Sequence, residues 1–186
     1  MSRESNAIHF EPLQARHAGE LFSVLNDDEL YAFIDDRPPR TVEALVGRFE
    51  AWESRRSPDG SQLWLNWVVR ESRDRLAVGY VQATVEGRQA HVGYVIGKSY
   101  WGKGFATAAV AWLIGQLHSM NVDNIVATVE DRNQRSIRLL ESLGFQQTRR
   151  RGTEIVFELR PDQLRTSARD GDRSQTIVPQ HRVERL

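Results

Sequence analysis

The feature that most constrains the fold is a glycine-rich loop between a strand-like segment and a helical segment. Residues 100–107 read Tyr-Trp-Gly-Lys-Gly-Phe-Ala-Thr, after a strand-like run that ends at Ile96 and before apolar residues that recur at helical spacing from Ala106. Gly102 and Gly104 tolerate positive φ, so several backbone N–H groups can turn toward one ligand at a helix N-terminus. The layout predicts an anion site, and phosphate is the expected ligand.

Three known phosphate-binding motifs can be compared with this loop. The nucleoside-triphosphate loop requires a hydroxyl for Mg²⁺ after its Gly-Lys pair, but Gly104 stands there. The dinucleotide fingerprint requires a third glycine, and Ala106 and Thr107 stand in that region. The segment from Trp101 to Ala106 resembles the Q/R-x-x-G-x-G/A loop of the GNAT acetyltransferase superfamily. In that family backbone amides hold the pyrophosphate of coenzyme A.

A second motif at a suitable distance supports the same resemblance. Residues 133–145 read Asn-Gln-Arg-Ser-Ile-Arg-Leu-Leu-Glu-Ser-Leu-Gly-Phe, which is similar to the family's Asn-initiated helix closed by Gly-Phe. Each motif alone is also typical of an ordinary turn or a capped helix. Together they most resemble the branch of ribosomal-protein N-terminal acetyltransferases. The resemblance covers residues 8–160 and is strongest over 88–147.

Hydrophobic periodicity predicts an alternation of strands and helices that agrees with this family. The predicted strands are 8–13, 63–70, 76–85, 89–96, 125–129, 145–150 and 155–160, and the predicted helices are 15–25, 42–55, about 106–117 and 133–143. A loop with one helical turn is expected over 26–40. The resemblance implies an α/β (α+β) fold with a mixed, mainly antiparallel sheet of about seven strands. It also implies helices on both faces and a V-shaped splay between the fourth and fifth strands, near Ile96.

The chain length predicts one domain, residues 1–160, followed by a tail, residues 161–186, that is expected to be flexible. The tail contains no aromatic residue and no sustained period, so it offers little apolar surface to offset the entropy of ordering. A docked final helix is the alternative for this segment.

Composition argues against several classes of function. The chain has 25 basic and 25 acidic residues and a net charge of zero, so no overall field favours nucleic acid or an anionic membrane. It has no cysteine, and its five histidines lack ligand spacing, so no metal is expected. No apolar signal region or membrane span is evident, which predicts a cytoplasmic protein. A monomer or a homodimer is expected.

The resemblance implies a set of contacts to acetyl-CoA. In the similar fold, the strand before the loop splays from its parallel neighbour, and its free backbone amides bind pantetheine and polarise the thioester oxygen. The matched residues are Tyr94, Val95 and Ile96 on the strand, Trp101, Gly102, Lys103, Gly104, Phe105, Ala106 and Thr107 on the loop, and Asn133 opposite. Because Trp101 replaces the usual Gln or Arg, the backbone is expected to carry the phosphate contacts.

Three side chains are candidates for proton transfer. His91 stands where similar sequences often carry a Glu, and an imidazole with a pKa of about 6.5 suits a general base. Glu130, at the end of the next strand, is the rival base. Ser136 is the candidate acid, because Leu140 occupies the position of the Tyr found in many family members. The structural alternatives are a half-exposed strand histidine, a solvated carboxylate and a serine that satisfies its own helix start.

The predicted function is transfer of an acetyl group from acetyl-CoA to a primary amine, either a protein or peptide N-terminus or a small amine. A catalytically silent acetyl-CoA sensor is the alternative from a different class, and a nucleotide hydrolase is disfavoured by Gly104. Five acidic residues lie in the loop between the first two helices: Asp27, Asp28, Glu29, Asp35 and Asp36. They are either a binding surface for a cationic acceptor or solvated charges at helix ends.

Overall fold

A computed structural model describes residues 8–34 and 36–159. The strands are β1 Ile8–Pro12, β2 Leu63–Glu71, β3 Ala77–Glu86, β4 Gln89–Ile96, β5 Asn124–Glu130, β6 Gln146–Arg151 and β7 Glu154–Leu159. The α-helices are α1 Ala18–Leu25, α2 Val42–Glu53, α3 Phe105–Ser119 and α4 Gln134–Ser142, and single 3₁₀ turns span Ala15–His17, Asp28–Tyr31 and Lys98–Tyr100. The predicted tail, 161–186, and Asp35 lie outside the described residues.

The strands form one seven-stranded sheet in the order β1-β2-β3-β4-β5-β7-β6. Every neighbouring pair is antiparallel except β4 and β5, which the α3 crossover makes parallel. That parallel pairing covers only Gln89–Asn124, Ala90–Ile125 and His91–Val126. The strands separate beyond these pairs, which confirms the predicted splay and places it after His91, five residues before the end of β4.

Helices cover both faces of the sheet. Successive strand side chains point to opposite faces, so each face is apolar and packs against its own pair of helices. One cluster joins α1 and α2 to Val68, Tyr80 and Val95. The other joins α3 and α4 to residues of opposite parity, such as Leu65 and Val81. The two faces of the sheet therefore pack as separate layers. The splay between β4 and β5 is the opening that connects them.

Local signals explain where the helices begin. The Thr41 hydroxyl accepts a hydrogen bond from the Ala44 N–H at 3.1 Å, which is the predicted cap of α2. The first helix differs from the prediction, since residues 15–17 form a 3₁₀ turn before α1. In that turn the Gln14 N–H donates to Nδ1 of the buried His17 at 2.9 Å, which holds the tighter geometry.

A cluster of ionisable groups ties β1 and β2 to α1. Among the described residues, Glu11, His17 and Glu20 bring three possible metal ligands together. Arg70 hydrogen-bonds both carboxylates, through Nε to Glu11 and through Nη1 to Glu20 at 2.7 Å. A guanidinium therefore already neutralises this group, and we interpret it as a structural ion-pair cluster. No helix in the described part of the chain is long and apolar enough to cross a membrane.

Candidate functional site

The splay opens into a cleft of about 1480 Å³ that contains nearly all the residues selected from the sequence. His91, Glu130 and Ser136 line it, as do Tyr94, Val95, Ile96, Trp101, Gly102, Gly104, Phe105, Ala106, Thr107 and Asn133. Lys103 is the one predicted site residue that does not. The volume exceeds the range of about 300–1,000 Å³ usual for one small ligand, so the cleft has room for two substrates at once.

The open edge of β4 presents backbone amides to the cleft. The Gly97 N–H donates to β3 at 2.8 Å, and the β3–β4 register is continuous back to Gln89. Because bonding alternates along an antiparallel ladder, the amides of Tyr94 and Ile96 face the side that β5 has left. The amide of Val95 faces β3. The expectation that Val95 offers a free amide is therefore wrong, while Tyr94 and Ile96 fit the predicted role.

The glycine loop has the geometry of an anion site. Gly102 and Gly104 have φ of +73° and +85°, and a Cβ built at either position would meet no atom within 4 Å. Gly104 is also the N-cap of α3 and provides no capping side chain. The first-turn N–H groups of an α-helix have no intrahelical partners, and Phe105, Ala106 and Thr107 line the cleft. The residues present therefore fit a diphosphate.

Trp101 has a structural role that the sequence did not predict. Its indole Nε1–H donates to the Ile96 carbonyl at 2.7 Å, which pins the loop to the end of β4. The guanidinium of Arg135 lies over the indole ring, 4.1 Å from its centroid. Arg135 belongs to α4, so this contact joins the two sides of the splay. The cation missing at position 101 is thus supplied nearby from the second motif.

The Tyr94 phenol reaches across the splay to α4. Its hydroxyl lies 2.8 Å from the Ser136 hydroxyl, and the Ser136 N–H donates to Asn133 Oδ1 at 3.1 Å. Burial raises the pKa of Tyr94 above its ordinary value, against the hydrogen bond shared with Ser136 and the charge of Arg135. The phenol therefore stays protonated at neutral pH. Sequence reasoning assigned Tyr94 only a backbone role, because nothing local indicates which element its side chain will meet.

His91 stands at the last paired position before the splay. Gln89 Oε1 accepts from Asn124 Nδ2 at 3.2 Å, which orients the Gln89 amide so that Nε2 faces His91 Nε2 at 2.9 Å. Desolvation by neighbouring atoms lowers the pKa of His91 below 6.5, although the residue is exposed on β4, and Glu86 partly opposes this. An amide donor facing the ring nitrogen also favours the neutral form. His91 is thus neutral at physiological pH, as a proton acceptor must be.

Glu130 lies at the far end of β5, where its carboxylate has structural partners. Thr153 Oγ1 donates to Glu130 Oε1 at 2.7 Å, and Arg132 lies 3.5 Å from Oε2. Oε2 is buried and accepts no hydrogen bond. Glu130 therefore keeps one oxygen without a hydrogen bond, although it is ion-paired with Arg132, and it stays a second candidate base.

The acidic loop between α1 and α2 forms structural contacts. Asp27 caps a 3₁₀ turn by accepting from the Glu29 N–H at 3.0 Å, and Asp36 bonds Arg48 at 2.8 Å. Glu29, which lines the cleft, is paired with Lys98. Of the two interpretations left open, helix-end charges describe Asp27, Glu29 and Asp36 better than a surface for a cationic acceptor.

Comparison with known proteins agrees with this geometry. Residues 8–146 match the model of the Acetyltransferase (GNAT) domain. An uncharacterized N-acetyltransferase p20 from Bacillus licheniformis is 41% identical over 81 residues, which is 42% of this chain. The match spans 46% of that protein, or about half its length.

Solved structures share the fold at low identity. The ribosomal-protein-S5-alanine acetyltransferase of Vibrio fischeri superposes with a TM-score of 0.69 at 20% identity, over 87% of this chain and 97% of that one. The spermidine N-acetyltransferase of Vibrio cholerae, solved with CoA and spermine, gives 0.68 at 15% identity, over 86% and 99%. The family model matches most of the chain, and the splayed sheet and the glycine loop agree with it. The chain therefore belongs to the GNAT acetyltransferase family.

Proposed function

We propose that this protein transfers an acetyl group from acetyl-CoA to a primary amine by direct attack on the thioester. The observation that carries the proposal is the early end of β4–β5 pairing, which leaves the Tyr94 and Ile96 amides open beside an uncapped helix N-terminus. Acetyl-CoA supplies an acetyl group already activated as a thioester. The protein has to bind and align two substrates, exclude water and move protons.

The donor site has two parts. The first-turn amides of α3 and the positive-φ glycines bind the diphosphate, with the Arg135 guanidinium nearby. The amides of Tyr94 and Ile96 donate to the pantetheine amides and to the thioester oxygen. Removing one donor aimed at a developing oxyanion typically costs about 3 kcal/mol of barrier.

His91 accepts the proton of the attacking amine in this proposal, directly or through water. Its lowered pKa keeps the ring neutral above mildly acidic pH, and it becomes the base when the amine replaces the Gln89 amide that otherwise donates to its Nε2. Glu130 is the rival, because its Oε2 is buried without a hydrogen-bond donor.

The Tyr94–Ser136 pair returns a proton to the departing thiolate. The phenol donates and the Ser136 hydroxyl relays or orients that proton, since the two oxygens are 2.8 Å apart. Because burial raises the pKa of the phenol, its proton is present at neutral pH when the thiolate forms beside it. The arrangement compensates for Leu140, which replaces the tyrosine of many family members.

The acceptor we propose is the α-amino group of a peptide or protein. The second motif favours this branch, and the likeness to an S5-alanine acetyltransferase is consistent with it. A polyamine is the competing acceptor, since the fold of the chain is also similar to that of a spermidine acetyltransferase. The pairing of the acidic loop within the fold weakens the polyamine alternative, because fewer free carboxylates remain to bind a polycation.

The test is release of free CoA from acetyl-CoA in the presence of alanyl peptides, spermidine and other small amines. Turnover with any amine supports the enzyme. Tight CoA binding without thiol release across the panel would contradict the proposal and favour the silent sensor, the alternative function that shares the same donor site.

A further inference from the structure

A row of neutral polar side chains interrupts the apolar face beneath α1 and α2. Asn66, Gln82 and Thr84 are buried on neighbouring strands, with exposed fractions of 6%, 1% and 6%. Asn66 and Gln82 are direct partners in the β2–β3 register. One step further along the same face, Tyr80 packs into the apolar cluster under the helices. The polar row therefore begins where the cover of the helices ends.

The side-chain amide of Gln82 is an unsatisfied hydrogen-bond donor. Its Nε2 is fully buried and has no hydrogen-bond partner. An unsatisfied buried amide is costly, typically about 1–3 kcal/mol, and such a group in a native fold calls for an explanation. Gln82 also lines the cleft, on the side opposite α3 and α4. The unpaired donor is thus at the wall of the site where the acceptor must enter.

Gly93 provides the room that directs this amide toward the splay. Gly93 is the β4 partner of Gln82, and a Cβ built on it would lie 3.0 Å from Gln82 Nε2. The glutamine side chain therefore extends across β4, over the position that lacks a side chain. On that strand Gly93 lies between His91, the candidate base, and Tyr94, whose amide is open to the cleft. The Gln82 amide is accordingly close to the place where an amine would be deprotonated.

We propose that Gln82 binds the acceptor substrate, its side-chain N–H donating to a carbonyl oxygen close to the acceptor amine. The inference rests on the proposed function and makes the acceptor more specific. The unpaired N–H needs an acceptor such as a carbonyl oxygen. In a peptide the first carbonyl carbon lies two bonds from the amino nitrogen, so its oxygen stays close to the reacting amine. A substrate carboxylate fits this polar row less well than a neutral carbonyl. Glu86 follows Thr84 on the same face and lines the cleft, so it would repel a second negative charge.

The proposal predicts discrimination between amines. A peptide N-terminus satisfies the buried donor, whereas spermidine has no oxygen and leaves it unpaired. Sites built to hydrogen-bond a substrate reject analogues that lack the group, because their own polar atoms are then left without partners. The glutamine thus selects for an amine that carries a neighbouring carbonyl.

The experiment compares Gln82→Met, which keeps volume and removes the amide, with the parent and with Gln146→Met on the exposed strand β6. The acceptors are an alanine tripeptide amide and spermidine. For the tripeptide, Gln82→Met should lower kcat/KM about tenfold, mainly through KM, while CoA affinity stays near parental and any spermidine turnover stays the same or rises, because spermidine leaves the amide unpaired. Equal losses for both acceptors, no loss for the tripeptide, or a parent that uses only spermidine would overturn the inference.

Two further measurements keep the test decisive. Gln82→Met should melt at or above the parental temperature, because it removes an unsatisfied buried donor; a marked drop would show that the amide serves the fold and would overturn the inference. If the parent releases no CoA with any amine, the proposed function fails separately. Calorimetry of the tripeptide with the CoA-bound protein then decides: weaker binding to Gln82→Met supports the role of Gln82, and unchanged or undetectable binding contradicts it.

Discussion

Replacing Tyr94 by Phe tests whether the phenol is the proton donor, because the change removes one oxygen and keeps the buried ring. The lost contact is a neutral bond of 2.8 Å to Ser136, worth about 1 kcal/mol in the folded protein. If that bond only supports the fold, the rate should change by no more than about fivefold. Loss of a general acid costs about 10²–10⁴-fold. We therefore expect kcat to fall about a hundredfold or more, with CoA affinity near parental.

Ser136→Ala and the double variant form a cycle with Tyr94→Phe. If the two hydroxyls act as one unit, the double variant should be about as slow as Tyr94→Phe alone, because the second change removes a partner that has already lost its role. Initial rates of thiol release at saturating acetyl-CoA and peptide measure this, with melting temperatures as the control for folding. Strictly additive losses, or a Tyr94→Phe protein with full kcat, would refute the reasoning and leave the thiolate to be protonated by water.

Three further predictions test the other parts of the site. Gly104→Val should weaken CoA binding far more than Lys103→Ala, since a β-branched residue is strained at φ +85° and places methyl groups where the diphosphate is expected; calorimetry with equal affinities for both variants would show that the loop does not bind phosphate. If His91 is the base, kcat/KM should fall as pH drops through the pKa of His91, which lies below 6.5. His91→Gln should lose this acid-side decrease in the pH profile. A His91→Gln protein with full turnover and the same decrease would point to Glu130. Gly79→Ala should destabilise the protein by about 3 kcal/mol or more because its Cβ would lie 2.0 Å from the Val95 carbonyl. Gly47→Ala in α2, where no atom lies within 4 Å, is the matched control and should be neutral or stabilising in urea unfolding.

Local chemistry in the sequence was sufficient for the order of elements and for the donor site. Alternation and helical periodicity located every strand and α-helix of the described residues to within a few positions, but not the 3₁₀ turn Lys98–Tyr100. Thr41 and Asn133 marked helix starts, and Gly102 and Gly104 marked the loop, because caps and positive φ depend on a residue and its near neighbours. Those signals also sufficed for family membership.

Contacts between distant segments were decided only by the tertiary structure. The meeting of Tyr94 with Ser136, 42 residues later, and the position of Gln82 over Gly93 depend on strand register and on where β5 leaves β4. The direction of the Val95 amide depends on ladder parity, which no local propensity encodes. Sequence patterns report preferences within a few residues, whereas these features arise when a crossover helix and a sheet pack together and leave particular groups facing the same opening.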